Sequence, residues 1–166
     1  CFFHGPGFMQ GGRVTQLFSI VDIVPTLMDA AGVDGYEQMD GNSVCPVVQK
    51  NDTTWNDDIF IQISEAECGR AVRTSRWKYS VVSETVGGGE GSFSDSYKEA
   101  HLYDLKYDPS ELKNLIHAES HAGVRKVMRE RLVKRIKDVE GRTPEIIKAE
   151  LKPSGQRIVT EQEAHL

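Results

Sequence analysis

Three cysteines, Cys1, Cys45 and Cys68, are the obvious nucleophiles in these 166 residues. A thiol does chemistry only where its surroundings make it a thiolate, or where further ligands stand at a metal-binding spacing. The three lie far apart with no C-x-x-C pair, so they read as ordinary small or semi-buried thiols, not as a zinc site or a disulfide framework. Asp57-Asp58 could hold a cation, but it stands just before a strand-like run and reads as solvated charge at the strand's start. Asp104, Asp108 and Glu111 lack the alternating oxygen ligands and central glycine of a calcium loop. They read instead as a turn in which Asp and Asn side chains bond local backbone and Pro109 fixes φ. His117 and His121, four apart, would share a helix face with no third ligand in view. Gly87-Gly88-Gly89-Glu90-Gly91 has no Lys-Ser/Thr after it and does not cradle phosphate. No metal site is expected in this chain.

The elements that would position these groups follow from periodicity. Cys1-Phe2-Phe3 is an apolar run turning at His4-Gly5-Pro6-Gly7, the inner strand of a sheet whose other strands are missing, and there is no initiator Met; the chain reads as a fragment. Ile20, Ile23, Val24, Leu27 and Met28 predict a helix over 19–31, capped by Ser19, kinked or restarted at Pro25 and ended by Gly32. Residues 33–56 read mostly as loop, with a turn at Asp40-Gly41 and a short helix or turn over 43–48. Strands are predicted over 59–63, 70–74, 77–82 and 100–104, with 87–92 a flexible hairpin insertion. A helix over about 120–140 follows, with Val124, Val127, Met128, Leu132, Ile136 and Val139 in one apolar stripe and Gly141 as its stop. Thr143-Pro144-Glu145 predicts the start of a short helix, and the tail after Pro153 reads as polar and frayed.

Together these give an α+β fold: an antiparallel sheet of about four strands packed by a long C-terminal amphipathic helix, preceded by a strand-loop-helix remnant of a larger α/β domain. The expected division is 1–50 for the remnant, 51–152 for the α+β subdomain and 153–166 for the tail. A net charge of -5 gives no general attraction to nucleic acid or anionic lipid, and no apolar run approaches a membrane span. The basic residues of the long helix, among them Arg125, Lys126, Arg129 and Lys134, flank its apolar stripe on both sides amid Glu130, Asp138 and Glu140, which predicts a solvated face.

Five segments occur in an order that resembles the C-terminal part of a sulfatase, within the alkaline-phosphatase-like superfamily. They are the opening strand with its Pro6-Gly7 turn, Asp40-Gly41-Asn42-Ser43, Arg70-Ala71-Val72-Arg73-Thr74, Trp77-Lys78-Tyr79, and Leu102-Tyr103-Asp104-Leu105 leading to Asp108-Pro109-Ser110-Glu111 and Asn114. The run from Gly12-Arg13-Val14 through Val21 to Gly32 adds to the likeness. The resemblance implies a full-length enzyme that hydrolyses sulfate esters with a formylglycine nucleophile and a divalent cation, calcium, on a sulfated small molecule or glycan. Such an ester is anionic, so attack on it needs an activated nucleophile and concentrated positive charge.

No Cys or Ser here is followed by Pro or Ala two places on and Arg four places on, the pattern in which formylglycine is made. The catalytic residues and metal ligands are therefore expected upstream of Cys1, in a missing N-terminal catalytic domain, and the chain alone is expected to be inactive. Its part would be to complete the fold and shape substrate access. His4, Glu65, Glu67 and Arg70, after the first strand and in the loop following 59–63, are the candidate substrate contacts, because the family's C-terminal loops approach the active-site mouth. A phosphodiesterase or phosphonate hydrolase of the same superfamily is the alternative enzyme, and a stand-alone binding module the alternative of another class.

Overall fold

The computed structural model describes residues 1–6, 8–9, 11–50 and 55–165. It divides into two compact units, Cys1–Ile59 and Phe60–Leu166. In the first, the strand expected at Cys1-Phe2-Phe3 does not form. A strand needs a neighbour to take its N–H and C=O groups, and none of the described strands pairs with Cys1-Phe2-Phe3. Phe3 instead packs on Phe8, with ring centroids 5.2 Å apart, and edge-on against Phe18. The predicted helix appears as a 3-10 turn, Ile20–Asp22, running into α1, Ile23–Ala30. Pro25 falls in the first turn of α1, where its missing N–H has no helical partner to lose. Gly32, at φ +69°, ends the helix in a Schellman arrangement: its N–H donates to Asp29 O at 3.0 Å and that of Val33 to Met28 O at 2.9 Å.

The Asp40-Gly41-Asn42-Ser43 turn is tied to α1 by side chains. The buried Asp22 carboxylate accepts from Ser19 N–H at 2.8 Å and from Asn42 N–H at 2.9 Å. Thr26 accepts from Val44 N–H at 3.0 Å, and Ser43 Oγ donates to Asp29 at 2.5 Å. A Cβ at position 41 would stand 2.0 Å from Val21 O, so only glycine lets the turn lie this close. The short helix α2, Cys45–Lys50, follows.

The second unit is built on a five-stranded mixed sheet of order β1-β2-β3-β4-β5: β1 Asp58–Ile63, β2 Glu67–Thr74, β3 Trp77–Gly87, β4 Ser96–Asp104 and β5 Glu145–Ile147. The hairpins β2–β3 and β3–β4 are antiparallel. β5 is a correction to the expected short helix after Thr143-Pro144. Glu145 N–H donates to Asp95 O at 2.9 Å and the segment pairs parallel to β4, so a free sheet edge outweighs the Pro-led helix start for two β-branched isoleucines. Asp58, expected to be solvated, is buried.

One sheet face packs on α3, Ala122–Glu140, which Gly141 ends at φ +67°. Val72, Trp77, Tyr79, Val81 and Leu102 from the sheet meet Val124, Met128, Leu132 and Ile136 from the helix, all fully buried; each such side chain contributes roughly 1.5–3 kcal/mol. Val139 does not join this stripe and is 56% exposed. The helix is also less solvated than its sequence predicts. Glu99 of β4 is buried beneath it and accepts from Tyr79 Oη at 3.1 Å, Arg129 at 2.9 Å and Ala149 N–H at 2.9 Å, with Arg125 at 3.4 Å. Arg125 is itself buried and donates to the carbonyls of Ile116 and Ala149. Lys126 and Lys134 do keep the exposed face. No helix among the described residues is long and apolar enough to cross a membrane.

The C-terminal segment is not a frayed tail. Val159 and Ala164 sit in the core, and Trp77 Nε1 donates to Glu163 O at 2.9 Å. Ser120 anchors the segment twice, through Val159 N–H at 2.7 Å and Ser154 Oγ at 2.7 Å. Arg157 grips the Glu163 carboxylate with both terminal nitrogens and holds its pKa down to about 2. Polarity alone predicts fraying; two small apolar residues and the Trp77 indole decide otherwise.

Replacing Glu99 with Ala removes the shared acceptor of two arginines and a tyrosine inside the fold. The expected loss is about 3–5 kcal/mol of unfolding free energy, read from urea denaturation, and a loss under 1 kcal/mol would refute the hub. Burial against Trp77 lowers the pKa of His121 below its usual 6.5. The neutral ring is therefore the folded form, and the unfolded chain takes the proton first as pH falls. Stability should drop as pH falls through 6.5 toward the lower folded value and then level off; His121→Gln should flatten that slope in denaturation midpoints measured from pH 7.5 to 5.

Candidate functional site

Every polar residue of the Leu102–Asn114 stretch that looked suited to metal has a backbone or side-chain partner. Asp104 takes Arg76 at 2.9 Å and Lys106 N–H at 3.2 Å. Asp108 takes the N–H groups of Leu112 and Lys113, at 3.1 and 2.8 Å. Asn114 accepts from Leu102 N–H at 3.1 Å and Ile116 N–H at 3.0 Å while donating to Ala100 O. Glu111, at φ +55°, reaches back to Lys78 at 2.7 Å. The segment is a structural turn, as its residue types predict. Arg76 also lies over Trp77, 4.6 Å from the ring centroid, so the motif pair Arg76-Trp77 and Asp104 is one packed unit. His117 Nδ1 pairs with Glu150 O and His121 Nδ1 with Ser120 Oγ.

Among the candidate substrate contacts, Glu65, Glu67 and Arg70 gather at one end of the second unit, and His4 belongs to the first. Glu65 is exposed on the turn joining β1 to β2, and Glu67 is exposed at the start of β2. Arg70 is buried, with its donors aimed at the protein: Nε to Glu140 at 2.5 Å, one terminal nitrogen to Gly69 O at 2.7 Å, the other to Ser92 O at 2.6 Å. The glycine loop that looked like a flexible insertion closes over this turn. Gly89 N–H donates to Ser64 O at 2.8 Å, Glu90 accepts from Gly87 N–H at 2.8 Å, and a Cβ at Gly88 would fall 2.3 Å from Glu65 O. Its glycines allow close backbone approach, which sequence alone does not distinguish from flexibility. His4 is exposed, stacked on Phe2, and lines a wide hollow of about 1380 Å³ with Phe3, Phe8 and Arg13.

Sequence reasoning missed the sheet face turned away from α3. A cleft of about 260 Å³ there is lined by Ile61, Ile63, Glu67, Lys78, His101 and Tyr103, among others. The available signal was the alternation along β3 and β4, which sets Lys78, Ser80, His101 and Tyr103 opposite the buried Trp77, Tyr79 and Leu102. Burial, then Glu111 and Asp108, raises the pKa of Tyr103, which therefore stays a neutral hydroxyl. No grouping of three or more His, Cys, Asp or Glu that could hold a metal occurs among the described residues. Cys45 and Cys68 are buried free thiols, and burial pushes the Cys45 thiol up, away from the reactive thiolate.

The profile of the N-sulphoglucosamine sulphohydrolase C-terminal family matches residues 3–138. The chain belongs to that family. Among curated sulfatases it is 31% identical over 147 residues to an ulvan-active sulfatase of Formosa agariphila, covering 75% of this chain and 29% of that protein. It is 30% identical over 146 residues to an arylsulfatase of Clostridium perfringens, covering 85% and 27%. A structure solved in complex with its substrate, D-glucosamine-2-N,6-O-disulfate, superposes with a TM-score of 0.59 at 21% identity, over 74% of this chain and 24% of that one; this likeness concerns the fold. The chain thus spans less than a third of the length of these sulfatases. Four of the five motifs seen in the sequence, all but the opening strand, are turns and strand pairings of this fold.

Gly88→Ala should push the turn carrying Glu65 away from the loop, because the added carbon meets backbone atoms that cannot rotate aside. Amide chemical shifts of residues 64–67 should move, and stability should fall by about 1–3 kcal/mol. A variant with unchanged shifts would show that the loop is not held against the turn.

Proposed function

We propose that this chain is the C-terminal part of a sulfatase that acts on a sulfated sugar, and that it contributes substrate access and no catalytic residue of its own. The reading is carried by the family match over residues 3–138. The sugar class is supported by a relative named for ulvan and by the neighbour solved with a disulfated glucosamine. Formylglycine and a calcium ion, when present in the longer enzyme, supply the nucleophile and the charge that neutralises the sulfate oxygens. This chain's cysteines and serines do not fit the maturation pattern, and the chain is given no step in that chemistry.

Its own residues do three things in this reading. Glu65 and Glu67, on the turn closed by the glycine loop, face the group that carries the sulfate and select it through hydroxyl hydrogen bonds. Arg70 holds that turn, through Ser92 and Glu140, in the one shape that presents them. His4 contributes from the first unit. The upstream catalytic domain is the partner of the whole segment, and expected elements 1–50 would complete its α/β layer.

The test is an assay of the longer protein beside the 166-residue chain, with a sulfated monosaccharide and a phosphodiester. Sulfate release by the longer protein and none by the chain is the expected outcome. Glu67→Gln in the longer protein should raise KM about three- to ten-fold with kcat little changed, since uniform binding energy appears in KM. Phosphodiester cleavage without sulfate release, or turnover by the chain alone, would overturn the reading.

A further inference from the structure

The sheet face turned away from α3 carries an arrangement that stability does not account for. Arg73 on β2 and Lys78 on β3 are cross-strand partners, and Lys78 stands in turn opposite Tyr103 on β4. Like charges placed directly opposite in an antiparallel ladder oppose folding. Lys78 is partly relieved by Glu111. Arg73 is exposed and has no hydrogen-bond or ion-pair partner among the described residues. One row further along, Ser80 stands opposite His101 and holds its Nδ1 at 2.9 Å. The rings of His101 and Tyr103 lie nearly parallel, 14° apart in plane with centroids 5.8 Å apart, and neither is fully buried.

This face therefore joins a stacked, partly exposed pair of aromatic rings to an exposed guanidinium, beside a cleft that also holds an ammonium and carboxylates. A lone inorganic anion would use the cations and leave the rings idle. A purely aromatic ligand would use the rings and leave Arg73 unsatisfied. A sugar ring uses both: its C–H face stacks on an aromatic plane, its hydroxyls take bonds from mixed donors and acceptors, and a carboxylate or sulfate on it matches the guanidinium fork.

We infer that this face binds one residue of an anionic saccharide, stacked on the ring of Tyr103 with its carboxylate or sulfate on Arg73. The site lies wholly in the second unit. It shares with the sulfatase reading the class of ligand, but it involves no turnover, so its failure and that of the hydrolytic reading are separate results.

The experiment titrates the isotope-labelled 166-residue chain with a sulfated, uronate-containing tetrasaccharide, its desulfated counterpart and sodium sulfate, following amide chemical shifts. Shifts are expected at 71–73, 78–80 and 101–103. Arg73→Gln should weaken binding about ten-fold or more while leaving the unfolding midpoint equal or higher, because a repulsive pair is relieved. Tyr103→Leu should weaken binding comparably. Loss of binding on desulfation assigns the sulfate to Arg73, and retention assigns the carboxylate; either upholds the site. Equal shifts with sodium sulfate would mean an adventitious ion only. That result, shifts confined to other surfaces, or an Arg73→Gln chain that binds as tightly as the original would overturn the inference.

Discussion

The second unit depends on one buried carboxylate. Glu99 belongs to β4, yet its oxygens are shared by Tyr79 on β3, Arg129 and Arg125 on α3, and the backbone of Ala149 beyond β5. A charge in so apolar a place is tolerable only when its lone pairs are all engaged, and losing a single partner leaves the others unbalanced. The carboxylate therefore fixes the distance and register at which helix, sheet and the stretch after β5 meet. Around it, Trp77, Tyr79, Leu102, Met128, Leu132 and Ile136 fill the remaining space without polar demands. Hydrophobic burial supplies the driving force; the carboxylate makes the packing specific.

The family's motifs serve the same end at the turns. Asp22, Thr26 and Asp29 seat the Gly41 turn, Thr74 takes the N–H of Trp77 at 2.9 Å in the tight β2–β3 turn, and Asp108 and Asn114 take up the N–H groups of the loop after β4. Short polar side chains that bond nearby backbone are what a turn requires where no strand or helix satisfies it. These motifs are recognisable at low overall identity because their residues answer local hydrogen-bond requirements with few chemical substitutes. They also explain why a chain holding so many Asp, Asn and His side chains shows no grouped metal ligands among its described residues.

The glycine loop and Arg70 show how an exposed turn is held rigid. Gly88 lets the loop rest directly on backbone at Glu65 and Ala66, and Arg70 reaches across to Ser92 from below. Two exposed carboxylates are thereby held on a turn that would otherwise be free to move. Across the open sheet face the logic differs. There the side chains of Arg73, Lys78, His101 and Tyr103 are presented by strand alternation, and rigidity comes from the ladder itself.

Much of this was legible from residues alone. Period-2 and period-3.6 patterns place β1 to β4, α1 and α3, Gly32 and Gly141 mark helix ends, and the turn role of Asp104 through Asn114 follows from residue type. These features depend on neighbours within a few positions, where sequence spacing and spatial distance nearly coincide. What only tertiary structure decided involves partners far apart in the chain. Glu99 with Arg125, Arg129 and Ala149 turns part of a basic helix face read as solvated into a buried one. The free edge of β4 turns a Pro-led helix start into β5, and Trp77 with the core turns a polar tail into a seated segment. The cleft face, too, exists only once three strands lie side by side. Long-range pairing is paid for by the whole fold, and no local pattern encodes it.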